Sequence, residues 1–270
     1  MPELPEVETT RRGVAPHILG RRVERLILRQ PKLRWTVPAD LPSRLRGQTV
    51  QSVERRAKYL LLGTPGGTLL IHLGMSGSLR ILTESCAPGP HDHFDIDFGD
   101  CYLRFRDPRR FGALLWTTAP TASHPLLVHL GPEPLSDDLN GPYLHRCARG
   151  RRTAVKSFIM DGRVVVGVGN IYASEALFLA GIHPHRSCGR ISLARYQRLA
   201  SSIKQVLQSA IEQGGTTLRD FHNQAGNPGY FARQLRVYGK SGDPCPSCGL
   251  PIRQRRIGQR SSFFCSKCQR

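Results

Sequence analysis

The sequence predicts an α+β protein, in which a β-rich first half precedes a helical segment and a short cysteine-rich end. Residues 48–117 form short apolar or alternating runs separated by turns. Beyond residue 134 the apolar residues follow helical periodicity, and the last thirty residues are rich in turns and cysteine. Strands grouped before helices are typical of the α+β class.

The β-rich part contains several candidate strands. Apolar runs at 59–62 and 69–71 flank a Pro-Gly-Gly turn, and Phe94, Ile96 and Phe98 alternate onto one face. Glycines in such turns supply the positive φ angles that tight connections need. The even spacing of these runs predicts a sandwich or a flattened barrel.

Helices are predicted before and after this region. The first begins at Pro5, because proline at the first helical position loses no hydrogen bond, and Glu6 and Glu8 lie where the helix dipole favours carboxylates. Further helices are predicted at 153–160, 171–180 and 192–213. The predicted domains are 1–134, 135–235 and 236–270.

The charge distribution indicates a polyanionic partner. Among 270 residues, 39 Lys and Arg stand against 20 Asp and Glu, for a net charge of +19. Residues 1–140 account for +3 of this charge and residues 141–270 for +16. Such asymmetry favours nucleic acid, with an anionic membrane surface as the alternative that lacks a basic amphipathic helix. Without an apolar run of about 20 residues or a leader, we expect a cytoplasmic protein.

Four cysteines near the C-terminus have the spacing of a metal site. Cys245 and Cys248 form one C-x2-C pair, and Cys265 and Cys268 form another after sixteen intervening residues. Two such pairs can meet one tetrahedral zinc ion and hold a hairpin that is too small for a core of its own. Four thiolates leave no open coordination position, so the expected role is structural. Disulfides are disfavoured in a chain without a leader.

Two further segments are candidates for phosphate binding. Residues 253–260 carry four arginines on a loop that the metal would hold rigid. Residues 164–170 run through glycines into a helix with Asn170 as its N-cap, and a helix N-terminus attracts phosphate. In a segment of charge +16, both features favour contact with a nucleic-acid backbone.

The extreme N-terminus offers a possible nucleophile. If Met1 is removed, Pro2 exposes a secondary amine beside the carboxylate of Glu3. Such an amine can attack an electrophilic sugar carbon and form an iminium ion, while the carboxyl group handles protons. A Met-Pro start is also ordinary in proteins without this chemistry.

Five motifs in one order resemble the formamidopyrimidine-DNA glycosylase family. They are MPELPEVETTRRG at 1–13, RRAKYL at 55–60, HLGMSGS at 72–78, DPRRFG at 107–112 and the C-terminal cysteine hairpin. The resemblance extends from Pro2 to Cys268. It implies an N-terminal β-sandwich with flanking helices, a helix-two-turn-helix domain and a zinc-binding hairpin, with DNA between them.

The resemblance also implies the reaction. Members excise oxidised purines such as 8-oxoguanine and formamidopyrimidines in base excision repair, after the damaged nucleotide has swung out of the duplex. A Schiff base then leads to strand cleavage by β- and δ-elimination. The implied enzyme is a DNA glycosylase and abasic-site lyase with one structural Zn²⁺ and no small-molecule cofactor, acting as a monomer on bacterial nucleoid DNA in the cytoplasm.

Residue roles follow from the matched motifs. Pro2 is the implied nucleophile, Glu3 its proton-handling partner, Lys58 the proton donor for β-elimination and Arg260 the residue for δ-elimination. The implied contacts to the DNA backbone are Asn170 and, as a weaker candidate, His72. Further implied DNA contacts are His91, Arg109 or Arg110, and Arg151 or Arg152.

Three residues resemble the family's void-filling set, which occupies the gap left by the flipped nucleotide. These are Met75, Arg109 and Phe111, although ordinary core packing is an alternative for Met75 and Phe111. Residues 216–230 resemble the family's lesion-capping loop and could equally form a surface connection.

Two other functions stay open from the sequence. The endonuclease VIII branch shares the chemistry and the zinc hairpin but prefers oxidised pyrimidines. A non-catalytic zinc-ribbon binder of DNA or RNA would also fit the composition and cysteines, but it would not explain Pro2, Glu3 and Lys58 together.

Overall fold

The computed structural model describes residues 2–84, 86–215 and 234–270. They form two compact units, one built mainly from residues up to 128 and the other from residues 129–213 with the C-terminal residues. The expected α+β class is confirmed. The division at residues 134 and 235 stays a prediction.

The first unit contains two four-stranded antiparallel sheets. In chain order its elements are α1 (Leu4–Ile18), β1 (Arg25–Leu28), α2 (Leu41–Leu45), β2 (Ser52–Arg56), β3 (Tyr59–Thr64), β4 (Gly67–His72), β5 (Ser78–Leu82), β6 (Asp92–Asp97), β7 (Tyr102–Arg106) and β8 (Ala113–Thr117). One sheet has the order β1-β6-β7-β5 and the other β2-β3-β4-β8.

Both sheets bury side chains in one apolar cluster, which makes this unit a sandwich. Phe94 on β6 and Phe105 on β7 are paired and stack with ring centroids 4.8 Å apart. Leu60 on β3 pairs with Ile71 on β4, and both are buried in the same cluster. Helix α1 adds its apolar face, so burial of hydrocarbon anchors it to the sandwich.

Helix α1 begins one residue earlier than the sequence predicts. Its first residue is Leu4, with Glu3 at the N-cap and Pro5 in the first turn. Glu3 and Glu6 form a capping box, in which the Glu3 backbone N–H donates to Glu6 Oε2 at 2.8 Å. This reciprocal capping satisfies backbone donors at the helix start, so Glu3 and not Pro5 sets the boundary.

The second unit is mainly helical and ends in a hairpin. Its elements are α3 (Gly141–Ala148), α4 (Val155–Ile159), α5 (Asn170–Leu179), α6 (Leu193–Glu212), β9 (Arg253–Ile257) and β10 (Arg260–Phe264). The helices predicted at 153–160, 171–180 and 192–213 correspond to α4, α5 and α6. Helices α2 and α3 were not predicted from the sequence, although each has a proline in its first turn, a position that favours a helix start.

In the part of the chain that the structure describes, no helix is long and apolar enough to cross a membrane.

Candidate active site and nucleic-acid interface

Pro2 and Glu3 lie at the start of α1, where the sequence predicts the nucleophile and its proton partner. Both residues are buried in the first unit, and Glu3 is 3% exposed. The capping box fixes the Glu3 backbone beside the Glu6 carboxylate. Met1, whose removal the prediction requires, lies outside the described residues.

Lys58 occupies a tight turn between β2 and β3. The preceding Ala57 has a φ of 55°, a left-handed conformation that is uncommon outside glycine. The Arg55 guanidinium stabilises this turn by donating to the Ala57 carbonyl at 2.9 Å. Lys58 itself is half-buried on this turn.

An ion-pair link connects α1 to the Lys58 turn. Glu8 accepts hydrogen bonds from Arg55 Nε at 3.1 Å, Arg11 Nη2 at 2.8 Å and Arg12 Nε at 2.8 Å. Burial works to raise the pKa of Glu8, but the bonds from Arg11 and Arg12 and the charges of Arg11 and Arg55 outweigh it and lower the pKa to about 2. The sequence indicated only a helix-dipole role for Glu8. Its pairing with Arg55 spans 47 residues and has no local signal.

His72 ends β4 directly beside Tyr59, and the two ring centroids are 4.8 Å apart. Burial, followed by the positive charges of Lys58 and Arg34, lowers the pKa of His72 to about 4. Its Nδ1 accepts the Gly74 backbone N–H at 3.0 Å, so the neutral ring carries its hydrogen on Nε2. Such a neutral donor is suited to a phosphate oxygen.

The expected void-filling residues lie on two loops of the first unit. Met75 lies half-buried in the turn between β4 and β5, and Phe111 is exposed just before β8. The Arg109 guanidinium lies over the Phe111 ring, 5.2 Å from its centroid. The loops approach so closely that a Cβ on Gly74 would lie 2.4 Å from the Phe111 carbonyl carbon. The structure therefore brings Met75, Arg109 and Phe111 together.

His91 and Arg110 lie next to this cluster. His91 precedes β6 and is half-buried, and its carbonyl accepts the Asp107 backbone N–H at 3.0 Å. Arg110 is exposed and has a φ of 55°. Because Arg109 stacks on Phe111 while Arg110 adopts the left-handed turn conformation, the two neighbouring arginines have different surroundings.

Asn170 is the first residue of α5 and not its N-cap. Gly169 occupies the cap position with an extended backbone, which corrects the sequence expectation. The Asn170 side chain accepts a hydrogen bond from Lys156 Nζ at 2.7 Å and donates to the Ser261 carbonyl at 3.1 Å. Asn170 therefore links α4, α5 and the hairpin.

Lys156 was not singled out in the sequence. Its side chain is 1% exposed, and besides Asn170 it donates to the Ser261 carbonyl at 3.1 Å and to Ser262 Oγ at 2.8 Å. A lone lysine in a short helix ordinarily faces solvent, so only the tertiary structure reveals this buried contact.

Arg151 and Arg152 lie exposed in the connection between α3 and α4. The Arg151 guanidinium lies over the Phe158 ring at 5.6 Å, and its carbonyl accepts the Gly189 N–H at 3.1 Å. These contacts hold Arg151 in place. Which of the two arginines meets DNA stays a prediction.

Residues 253–260 comprise strand β9, a turn and the first residue of β10, so the predicted basic segment is part of a β-hairpin. Gly258 and Gln259 have φ angles of 53° and 61°, as a type I′ hairpin turn requires. Arg260 pairs with Ile257 at the start of β10, and its side chain is exposed. The exposed arginines of β9 are Arg253, Arg255 and Arg256. The hairpin thus presents four guanidinium groups on a rigid support.

The four predicted metal ligands come together at the end of this hairpin. Their Sγ atoms all lie within 4.8 Å of one another, with 3.5 Å between Cys248 and Cys265 and 3.9 Å between Cys245 and Cys268. Tetrahedral zinc with Zn–S bonds of about 2.3 Å requires sulfurs about 3.8 Å apart. The donor set and its spacing therefore fit one structural zinc ion.

The segment from Cys265 to Gln269 is attached to the helical part of the second unit. Gln269 is 1% exposed, accepts the Cys265 N–H at 2.9 Å and donates to the Ile182 carbonyl at 2.9 Å. Phe178 of α5 shares an apolar cluster with Phe263 of β10. The hairpin is therefore stabilised by apolar contacts with helix α5 as well as by its metal site.

Three known domains match the chain along its length. Residues 1–114 match the formamidopyrimidine-DNA glycosylase N-terminal domain, residues 130–222 its H2TH domain, and residues 242–270 a zinc finger found in FPG and IleRS. The formamidopyrimidine-DNA glycosylase of Methylococcus capsulatus is 61% identical over 271 residues, and that of Alkalilimnicola ehrlichii is 60% identical over 277 residues. Each alignment covers 100% of both chains.

The chain belongs to the formamidopyrimidine-DNA glycosylase family. The resemblance deduced from five motifs is thereby confirmed. Membership favours a glycosylase of the formamidopyrimidine type over both alternatives, the endonuclease VIII-like glycosylase and the non-catalytic zinc-ribbon binder. The zinc-finger match and the four-cysteine cluster together assign one structural Zn²⁺.

Solved structures of family members have the same fold. The MutM (FPG) protein of Thermus thermophilus gives a TM-score of 0.89 at 38% identity, covering 99% of this chain and 98% of that one. Wild-type Lactococcus lactis Fpg, in complex with DNA containing N7-benzyl-Fapy-dG, gives 0.92 at 32% identity and covers 100% of both chains. The expected lesion-capping loop at 216–230 lies outside the described residues.

Proposed function

We propose that the protein excises 8-oxoguanine and formamidopyrimidines from duplex DNA and then cleaves the strand at the resulting abasic site. Its family makes it a DNA glycosylase of base excision repair with DNA as its partner. One observation carries the proposed chemistry. Pro2 and Glu3 directly precede α1, with Glu3 as its N-cap, and the Glu8–Arg55 link joins that helix to the Lys58 turn.

Base release begins at the Pro2 nitrogen, freed by removal of Met1. The amine attacks C1′ of the damaged nucleotide, a C–N bond forms, and the glycosidic bond breaks with its electron pair and a proton going to the base. The sugar ring then opens as O4′ leaves C1′ and takes a proton, which leaves an iminium ion on Pro2. Glu3 is assigned to these proton transfers, because it follows Pro2 directly in the chain and carries a carboxyl group that can give and take protons.

Strand cleavage follows from the iminium ion, which acts as an electron sink. Loss of a C2′ proton expels the 3′ phosphate, and a second elimination expels the 5′ phosphate from C5′. Lys58 is assigned to proton transfer in the first elimination and Arg260 to the second. Long cations at these positions also suit the neighbouring phosphates.

Backbone contacts hold the duplex in the proposed complex. Asn170, Arg151 and the hairpin arginines supply donors from the second unit, and the neutral His72 and the nearby His91 supply donors from the first. Met75, Arg109 and Phe111 fill the gap left by the flipped nucleotide, because extrusion of a base leaves a void that must be occupied. The protein is proposed to act as a cytoplasmic monomer.

Borohydride trapping tests the Schiff base. Reduction during reaction with an 8-oxoguanine duplex should give a covalent protein–DNA adduct whose protein attachment maps to Pro2. The same duplex with guanine is the control and should give no adduct. Absence of an adduct during active excision would refute the iminium mechanism.

Oxidised pyrimidines are the second candidate substrate class. A solved complex of Lactococcus lactis Fpg contains DNA with an oxidised pyrimidine. The test is the rate of excision of 8-oxoguanine opposite cytosine against that of thymine glycol in otherwise identical duplexes. Faster removal of 8-oxoguanine supports the proposal, and faster removal of thymine glycol would reverse the ranking.

A further inference from the structure

A buried carboxylate joins the two loops that carry the proposed void-filling residues. Asp107 is fully buried, and its Oδ1 accepts a hydrogen bond from Ser76 Oγ at 2.7 Å. Ser76 directly follows Met75 in the chain, whereas Asp107 precedes Arg109 by two residues. The bond therefore ties the Met75 loop to the loop of Arg109 and Phe111 across 31 residues.

The Ser76 and Asp107 side chains also accept hydrogen bonds from the backbone of the loop that carries Arg109 and Phe111. The Arg109 backbone N–H lies 3.3 Å from both Ser76 Oγ and Asp107 Oδ1. Asp107 Oδ2 accepts the Gly112 N–H at 2.7 Å, on the other side of Phe111. Both ends of the segment 109–112 are thus bonded to one carboxylate.

Backbone contacts complete the arrangement. The Asp107 carbonyl accepts from the Arg110 N–H at 3.1 Å and from the buried His93 ring at 2.7 Å. Gly74 contacts the Phe111 backbone so closely that a side chain there would require the loops to separate. One loop therefore cannot shift without breaking contacts to the other.

A carboxylate that accepts the backbone N–H two residues ahead is a common way to stabilise a turn. That explanation covers the bond from Arg109 to Asp107, but it leaves the Ser76 bond unexplained. Ser76 belongs to the other loop, is only 6% exposed and donates to the carboxylate at the short distance of 2.7 Å. Its contribution is to join the two loops.

We propose that Ser76 and Asp107 are positioning residues that hold Met75, Arg109 and Phe111 together as one rigid wedge. The inference rests on the proposed void-filling role of those three residues. A wedge that unstacks DNA must oppose base stacking, and it does so best when its side chains are already fixed before binding. Support from buried hydrogen bonds supplies that fixed geometry.

Ser76→Ala tests the inference with little change in volume. A duplex with a tetrahydrofuran abasic analogue and 2-aminopurine beside the opposite base reports wedge insertion as a rise in fluorescence. We expect Ser76→Ala to slow this rise about tenfold, as loss of a hydrogen bond to a charged group warrants. Ser78→Ala, at an equally buried serine in β5, is the matched control and should insert at the wild-type rate.

A double-mutant cycle separates positioning from general stability. Ser76→Ala is measured in the wild-type protein and in the Met75→Ala variant. If Ser76 acts through Met75, Ser76→Ala should slow insertion much less in the Met75→Ala variant than in the wild-type protein. Wild-type insertion in Ser76→Ala, or the same loss in both backgrounds, would overturn the positioning role.

The fluorescence experiment also separates two failures, that of the void-filling role and that of the positioning role. If Met75→Ala, Arg109→Ala and Phe111→Ala all leave the fluorescence rise unchanged, the void-filling role fails and the inference fails with it. If those variants slow insertion while Ser76→Ala does not, only the inference about Ser76 and Asp107 is overturned.

Discussion

Three charged side chains are buried next to candidate site residues or the turns that carry them. They are Glu8, Lys156 and Asp107. Each is held by several hydrogen bonds: Glu8 by arginines, Lys156 by oxygen acceptors and Asp107 by a hydroxyl and backbone N–H groups. Burial of a charge is costly unless such partners replace water. These side chains therefore help to position the residues that they contact, which are Arg55, Asn170 and Arg109. Substitution of a buried charged residue should change the position of its partner.

Glu3→Gln separates base release from the lyase reaction. The variant keeps the Pro2 amine but loses the carboxyl group assigned to proton transfer, so 8-oxoguanine excision should fall by at least about a hundredfold. Borohydride trapping on a preformed abasic site should persist, because no base has to leave. Glu54→Gln, at an exposed carboxylate of β2, is the control and should retain both reactions. Full excision by Glu3→Gln would remove the assigned role.

His72 should titrate at about pH 4. Burial and the charges of Lys58 and Arg34 lower its pKa from 6.5, so between pH 6.5 and 4 the unfolded state binds more protons than the folded state. The His72 contribution should therefore reduce stability as pH falls through this window. NMR titration gives the midpoint, and urea unfolding at pH 7 and pH 5 should show a smaller pH-dependent loss in His72→Gln. A midpoint near 6.5 would contradict the expectation.

Among the elements, the hairpin β9–β10 depends strongly on its metal site. It presents the exposed arginines, and within the described residues its support comes from a small apolar cluster, the Lys156 and Asn170 contacts and the four cysteines. A segment of this size obtains much of its folding free energy from bound metal. Loss of zinc should therefore affect DNA binding before it affects the sandwich.

Cys248→Ser should release zinc and weaken DNA binding by at least about tenfold, because three thiolates bind the ion poorly and the hairpin then loses its support. Metal analysis and fluorescence anisotropy with labelled duplex measure the two effects. Cys147→Ser, at a cysteine outside the cluster, should keep both zinc and affinity. A metal-free Cys248→Ser that binds DNA normally would contradict the role of the hairpin.

For the whole molecule, charge is the dominant feature. The excess of 19 positive charges is concentrated beyond residue 140, where the hairpin and the connection before α4 carry exposed arginines. Phosphate contacts release counterions, so affinity should depend steeply on salt. Contacts to bases add selectivity for damage on top of this general attraction.

The salt dependence can be measured as a slope. If about 5 phosphates are neutralised, log K should fall against log salt with a slope of about −4 to −5. Arg260→Gln should reduce the slope by about 0.9, the value for one phosphate contact. Arg163→Gln is the control, because that exposed guanidinium is already paired with Asp161 at 2.8 Å. A wild-type slope shallower than about −2 would show that electrostatic attraction is minor.

Features that depend on neighbouring residues could be predicted from the sequence alone. Cysteine spacing predicted the metal cluster, a continuous apolar run predicted β3, alternation predicted β6, and apolar periodicity predicted α5 and α6. Each signal is local, because strand and helix geometry repeat within a few residues. Five short motifs were also enough to indicate the family and, with it, the residues of the proposed reaction.

The meeting of distant side chains could be seen only in the folded chain. Glu8 contacts Arg55 across 47 residues, Ser76 contacts Asp107 across 31, and Lys156 contacts Ser262 across 106. The partners of a buried charge depend on the path of the whole chain, and nothing in the local pattern around Lys156 or Asp107 records that path. The same reason explains Asn170. Its sequence context resembles a cap, whereas packing against the hairpin gives its side chain other partners.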